Sequence, residues 1–374
     1  MYAGCGGGET TGSGSDVQIG DNSTTSAPSP EQAAPSSDTS TPSGSETTAA
    51  SGGTTTESTP ATQPTPETSG PTTTTTTAET PPPPPATPSL TELLGRVCPV
   101  PAPQQISGVV NGQSFNYTEA RVETDSTGSI ASGDRLFVQN INSMIYVEPS
   151  SDGTVSWAAR KWTLAETTEQ AQATQANIIF ESQTIEGEAR VVVNHPDDVR
   201  PGVRYRVCLA VRAPAEWLHK LRNTGGNIEA IAPTGPVDAQ TESGAVTTNQ
   251  AGPSSTQVVT TSGSVTVEAD SHAPVSVTTE SGAIDYTILN GGVPLQSASQ
   301  LASTSSGSIR VIVSQQVGLR VDATTQSGSI SVAEGWPSPT SVGDGQSLLG
   351  EIRGGGATLT ARAATGSIAF SNSE

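Results

Sequence analysis

From about Leu218 onward the chain alternates apolar and polar residues in short runs, the period-two pattern of strands that bury one face. Ser264-Val-Thr-Val-Glu268 is followed by Pro274-Val-Ser-Val-Thr278, and Ser308-Ile-Arg-Val-Ile-Val313 by Leu319-Arg-Val-Asp-Ala323. The alternation predicts an inward face of Val265, Val267, Val275, Val277, Ile309, Val311, Val313, Leu319 and Val321, with Thr, Ser, Arg and Asp outward. Upstream, Arg135 to Gln139, Met144 to Val147, Thr154 to Trp157, Ile178 to Phe180, Arg190 to Val193 and Arg204 to Leu209 read as further strands bounded by Gly, Asp, Asn or Pro. One helix is expected among them, where Thr167-Thr-Glu-Gln170 offers a capping box ahead of Ala171 to Ala176.

A tetrad punctuates the regular strands: Ser, Thr or once Gly, then Gly, any residue, then Ile or Val. Its second residues are Gly226, Gly244, Gly263, Gly282, Gly307, Gly328 and Gly366, spaced by 18, 19, 19, 25, 21 and 38 residues, the last being twice 19. A period near twenty predicts one supersecondary unit stacked repeatedly. Glycine turns a corner without steric cost, and the preceding hydroxyl is expected to bond a freed backbone N–H. Asn-Gly or Asp-Gly hairpin turns do not dominate, which favours a right-handed parallel β-solenoid over an antiparallel meander; a β-sandwich with coincidental Ser-Gly turns is the competing all-β reading.

From roughly Leu136 the chain resembles the putative-adhesin family of bacterial surface proteins. The resemblance lies in Leu136-Phe-Val-Gln-Asn140 with Met144-Ile-Tyr-Val147, the step from Val211 to Pro214 into Trp217-Leu218, and Thr241-Glu-Ser-Gly244, Thr279-Glu-Ser-Gly282 and Thr325-Gln-Ser-Gly328. It implies a β-solenoid domain of unknown function and carries over no catalytic or binding residue. The stretch Gly335 to Gly356 departs from the pattern and is expected to loop out before the final turn of the repeat.

Composition divides the chain. No aromatic residue lies between Tyr2 and Phe115, and the first basic residue is Arg96. From Glu9 the sequence is Ser, Thr, Gly and Pro with scattered acids, too poor in apolar surface to offset the entropy of ordering. Residues 1–95 are therefore expected to form a disordered leader and stalk, 96–225 an irregular β part, and 226–374 the regular repeat. Ala3-Gly4-Cys5-Gly6 resembles the end of a bacterial lipoprotein signal, which would make Cys5 a lipidation site; the charged and apolar regions of that signal are missing after Met1 and are expected upstream of a start placed too late, and otherwise Cys5 is an incidental residue in a Gly-rich leader. Either a lipid anchor or secretion places the chain outside the cytoplasm, with membrane contact only through the anchor. Cys98 and Cys208 are candidates for a disulfide, with two buried free thiols as the alternative.

Charge narrows the partners. Ten of the 36 acids precede Arg96, leaving 26 against 16 bases, of which only Lys161 and Lys220 are lysines. Such a surface lacks the basic stripe that neutralises phosphates, so nucleic acid is not an expected partner. The partner classes left are a surface glycan or an envelope protein. A carbohydrate-active β-helix enzyme, a polysaccharide lyase or hydrolase, is the alternative function and needs convergent carboxylates. Asp238, Glu242, Glu268, Asp270, Glu280, Asp285 and Asp322 are scattered relative to their glycines; Glu242 and Glu280 share a register two residues before Gly244 and Gly282, but Thr261 and Gln326 fill it at Gly263 and Gly328, which reads as a solvated ladder, and His195, His219 and His272 lie far apart, each expected at the surface. No cofactor or metal motif is present. The expectation is a non-catalytic cell-surface protein, an adhesin or interaction scaffold on a flexible stalk.

Overall fold

The computed structural model describes residues 87–373 apart from 111–112, 197–201 and 290–297, and leaves the side chains of residues 108–110, 115 and 341 undescribed. The leader through residue 86, with Cys5, lies outside the described residues. A helix not anticipated from the sequence, α1 (Leu90–Val97), opens them: the Ser89 hydroxyl accepts the Glu92 N–H while the Glu92 carboxylate accepts the Ser89 N–H. Residues 90–95, assigned to the disordered stretch, are thus helical. A capping box at Ser89 and Glu92 and the apolar positions Leu90, Leu93, Leu94 and Val97 were the overlooked signal.

The hairpin β1 (Gln105–Val110) and β2 (Gln113–Thr118) precedes β3 (Ala120–Ile130), β4 (Arg135–Asn142), β5 (Ile145–Ser150) and β6 (Val155–Ala165). After α2 (Thr168–Ala176), capped by Thr167, come β7 (Ile179–Ile185), β8 (Glu188–Asn194) and β9 (Arg204–Pro214). The regular strands are β10 (Leu218–Gly225), β11 (Ile228–Ile231), β12 (Val237–Ser243), β13 (Val246–Asn249), β14 (Thr256–Ser262), β15 (Val265–Asp270), β16 (Val275–Ser281), β17 (Ile284–Leu289), β18 (Ser299–Ser306) and β19 (Ile309–Val313). The chain closes with β20 (Leu319–Ser327), β21 (Ile330–Val332), β22 (Thr340–Val342), β23 (Gly345–Ile352), β24 (Ala357–Thr365) and β25 (Ile368–Asn372).

The fold is all-β and rich in parallel pairing. From β10 to β19 successive strands alternate between two sheets, and each pairs in parallel with the next but one, so that every strand pair is a rung in register with its neighbours. Inward positions stack like on like: Val246, Val265, Ile284 and Ile309 form one column, all fully buried. β-branched side chains fit such a pleated, two-sided interior and exclude water from it.

Two departures concern the ends. Antiparallel strands close both sheets at one end, β6 against β9 and β3 and β7 against β8, and the first sheet alone at the other, β23 against β20 and β22, so the pairing is not parallel throughout. These strands cover rung edges that would otherwise present unpaired backbone groups. Gly335 to Gly356 accordingly does more than loop out, since it supplies β22 and β23, and Trp336 stacks on Phe370 with ring centroids 5.0 Å apart.

The rungs are also out of sequence order. β24/β25, last in the chain, lies between β18/β19 and β20/β21, and β4/β5 lies between β8/β9 and β10/β11. The 38-residue gap before Gly366 therefore reflects an end-covering excursion followed by insertion of the final rung.

Candidate functional site

Each rung turns from one sheet to the other at its glycine, and the glycines stack in a column. A Cβ at Gly244, Gly263, Gly282, Gly307 or Gly366 would fall closer than 3.0 Å to the carbonyl oxygen of the glycine on the adjacent rung, backbone that cannot step aside. Close rung approach, more than turn geometry alone, is what demands glycine here. The hydrogen bond at the corner also differs from expectation. Thr241, Thr304 and Thr325, three residues before their glycines, point inward and donate to the carbonyls of Gly226, Gly282 and Gly366, at 3.2, 3.3 and 3.0 Å. The Ser that precedes each glycine is exposed at Ser243, Ser262, Ser281, Ser306 and Ser327.

One further corner escaped the tetrad pattern: on the β4/β5 rung the position is filled by Ser143, whose φ is 104°. Its N–H donates to Gly225 O and its hydroxyl lies 3.1 Å from Cys208 Sγ. Cys208 is joined to Cys98 in a disulfide that fastens the C-terminal end of α1 to β9, with a Cα separation of 6.1 Å.

Beside this corner is a hollow of about 340 Å³. It is lined by Val97, Cys98 and Pro99 at the end of α1, by Ser143 and Met144 at the corner, and by Gly225 to Asn227 with Ser243 and Gly244 on the adjoining rungs. Trp162 on β6 and Arg206 on β9 complete it; they face each other across the two strands, with the guanidinium carbon 5.9 Å from the indole centroid.

The outer face of the first sheet is of another kind. In one register row it carries Gln139, Arg222, Gln240, Val259, Thr278, Ser303, Arg362 and Thr324. Arg222 donates to the main-chain oxygen and carboxylate of Asp238, and Arg362 does the same to Asp322. Between these two neutralised pairs the row is uncharged amide, hydroxyl and methyl groups.

The acids singled out from the sequence are dispersed. Asp238 and Asp322 are in the pairs above, Glu242 and Glu280 are exposed, and Asp270 accepts from His272 Nδ1 at 2.6 Å. Among the described residues no three His, Cys, Asp or Glu side chains are grouped to hold a metal ion. The histidines correct an expectation: His219 and His272 are buried and His195 is half-buried. His219 lies on the inward register of β10, where burial lowers its pKa, and its Nε2 lies 3.0 Å from Pro214 O. Burial likewise holds His195 down at about 4. Over the second sheet, burial and the neighbouring Glu148 push the Tyr146 phenol up to about 12, and burial raises the Glu229 carboxyl.

No protein-family model matches the chain, and no curated protein matches it in sequence. Among solved structures it is similar to a "putative cell adhesion protein" from Clostridium sporogenes ATCC 15579, at 8% identity and TM-score 0.30 over 67% of this chain and 100% of that one. A "putative adhesin" from Bacteroides fragilis NCTC 9343 gives 12% identity and TM-score 0.37 over 67% of this chain and 97% of that one. Another from Parabacteroides distasonis ATCC 8503 gives 11% and 0.30 over the same shares. These three are bacterial proteins described as putative adhesins or a putative cell adhesion protein, the class that the Thr-x-Ser-Gly-x-Ile units resemble, and a fourth neighbour is described as a "putative lipid binding protein". At these TM-scores the likeness carries no argument about what this chain does.

Proposed function

We propose that the chain is a non-catalytic cell-surface scaffold: a right-handed β-solenoid held away from the envelope by its Ser/Thr/Pro-rich leader, through an acylated Cys5, and offering a sheet face to a surface glycan or envelope protein. The observation that carries this reading is the outer row of the first sheet, from Gln240 through Ser303, in which parallel register repeats uncharged amide and hydroxyl groups on a rigid frame between two neutralised Arg–Asp pairs. A flat row of this kind contacts a partner without desolvating unpaired charge. No observation favours the polysaccharide-cleaving alternative.

The test follows the protein expressed from its own locus in its native bacterium, so that any signal encoded ahead of Ala3 is kept. Protease added to intact cells is expected to remove the domain, and metabolic palmitate is expected to label the chain in a manner lost in Cys5→Ala. A chain that stays protease-protected and unlabelled would end the surface reading.

A further inference from the structure

The hollow beside Ser143 has chemistry that the scaffold reading does not use. No Asp or Glu is among its lining residues, although the chain carries a formal net charge of −20. Its one charged group is Arg206, which is exposed and has no carboxylate partner among the described residues. That sets it apart from Arg160, Arg204, Arg212, Arg222 and Arg362, all held by acids. The acid in the same cross-strand row, Glu123, sits on the far side of Trp162 and is engaged by Arg160 and Arg121.

An arginine kept free of acids and steadied against an indole face is presented to an anion, because guanidinium meets a carboxylate with two parallel N–H donors. Around it the hollow supplies the hydroxyls of Ser143 and Ser243 and the Asn227 amide, whose oxygen already accepts from Ala245 N at 2.9 Å and so leaves its NH₂ to donate. Met144, Val97 and Pro99 add apolar surface. The buried Trp162 indole N–H has no partner among the described residues.

We propose that this hollow binds an acidic saccharide, with the carboxylate of a uronate-type sugar on Arg206 and its ring hydroxyls on Ser143, Asn227 and Ser243. A peptide fits less well, because the rim backbone is already occupied: Ser143 N–H is taken by Gly225 O, Gly244 N–H by Ser262 O and Ala245 N–H by the Asn227 side chain. An extended chain would find no ladder to join there. The site stands on the hollow alone and does not require surface display, so the failure of either proposal leaves the other intact.

Titration calorimetry on the full chain tests it with tetragalacturonate, the neutral tetragalactoside and tetraglutamate as probes. Tetragalacturonate is expected to bind, and each of the other two to bind at least about tenfold more weakly. Arg206→Gln is expected to lower tetragalacturonate affinity at least about tenfold, a difference of about 1.4 kcal/mol, while leaving the thermal midpoint unchanged. Arg310→Gln, an exposed arginine of β19 away from the hollow, is expected to bind like the parent. Absent tetragalacturonate binding, equal binding of the neutral sugar or of the peptide, an unaffected Arg206→Gln, or an equal loss in Arg310→Gln would each overturn the assignment.

Discussion

Replacing Gly263 by alanine tests the rung stacking most directly. The added methyl would be driven into the Gly244 carbonyl at less than 3.0 Å, and that oxygen belongs to backbone already fixed by its own rung. Relief requires the β12/β13 and β14/β15 rungs to part at their corner. Two hydrogen bonds cross between them there, Gly244 N–H to Ser262 O and Val246 N–H to Ser264 O, both at 3.0 Å. An opening of well under an ångström takes both beyond bonding range, and at about 1–3 kcal/mol for each of the two bonds broken the substitution should cost about 2–6 kcal/mol. A native domain holds only about 5–15 kcal/mol, so the effect is large on that scale. Gly335→Ala is the control: its φ is +85° and its Cβ would meet open space, so it should pay only the left-handed backbone penalty of about 1–2 kcal/mol. Urea unfolding followed by far-ultraviolet circular dichroism reads both. Because each rung touches only its neighbours, a break at Gly263 should also split the single transition in two. A Gly263→Ala protein no less stable than Gly335→Ala would refute the stacked-corner account.

The threonine row gives a paired comparison: Thr325→Val should cost about 1 kcal/mol through loss of its bond to Gly366 O, whereas Thr279→Val, whose buried hydroxyl has no partner among the described residues, should be neutral or stabilising, and reversal of that order in urea titrations would contradict the geometry. Replacing both Cys98 and Cys208 by alanine removes a link spanning 110 residues and should cost about 2–5 kcal/mol, measured as a lower midpoint that reductant no longer changes. His195 is held at about 4 by burial, against 6.5 when free, so the unfolded chain takes up its proton first as pH falls. Its contribution is therefore full above about pH 6.5 and is lost toward pH 4; the drop in thermal midpoint between pH 7.5 and 4.5 should shrink in His195→Gln.

Much of the interior was readable in the sequence, because period-two alternation and the glycine tetrads report the same rungs. Every aliphatic position expected inward from Val265 to Val321 is buried. Thr241 and its counterparts were assigned to the outside with the other hydroxyls, since alternation near a corner does not tell a buried, bonded threonine from an exposed one. Ser143 was missed as a corner because the tetrad was defined by glycine, and on this rung the neighbouring backbone leaves a side chain room. The order of rungs was beyond reach: a 38-residue spacing is the same whether a rung is skipped or a later one slips in beneath it. Nor could the hollow be read in advance, since Val97, Ser143, Trp162, Arg206 and Gly226 come from distant stretches and meet only after both sheets have formed.

The swapped rungs restrict how such a molecule can vary in length. β20/β21 rests on β24/β25, which the ribosome delivers some 40 residues later, so at about 5–20 residues per second the earlier pair waits about 2–8 s for its seat. Removing β24/β25 therefore takes out an internal layer, and the mirrored interleaving of β4/β5 imposes the same limit at the opposite end. Whole periods can be gained or lost only between β10 and β19, where sequence order and spatial order coincide, which makes that span the adjustable spacer of the molecule and its two ends fixed fittings.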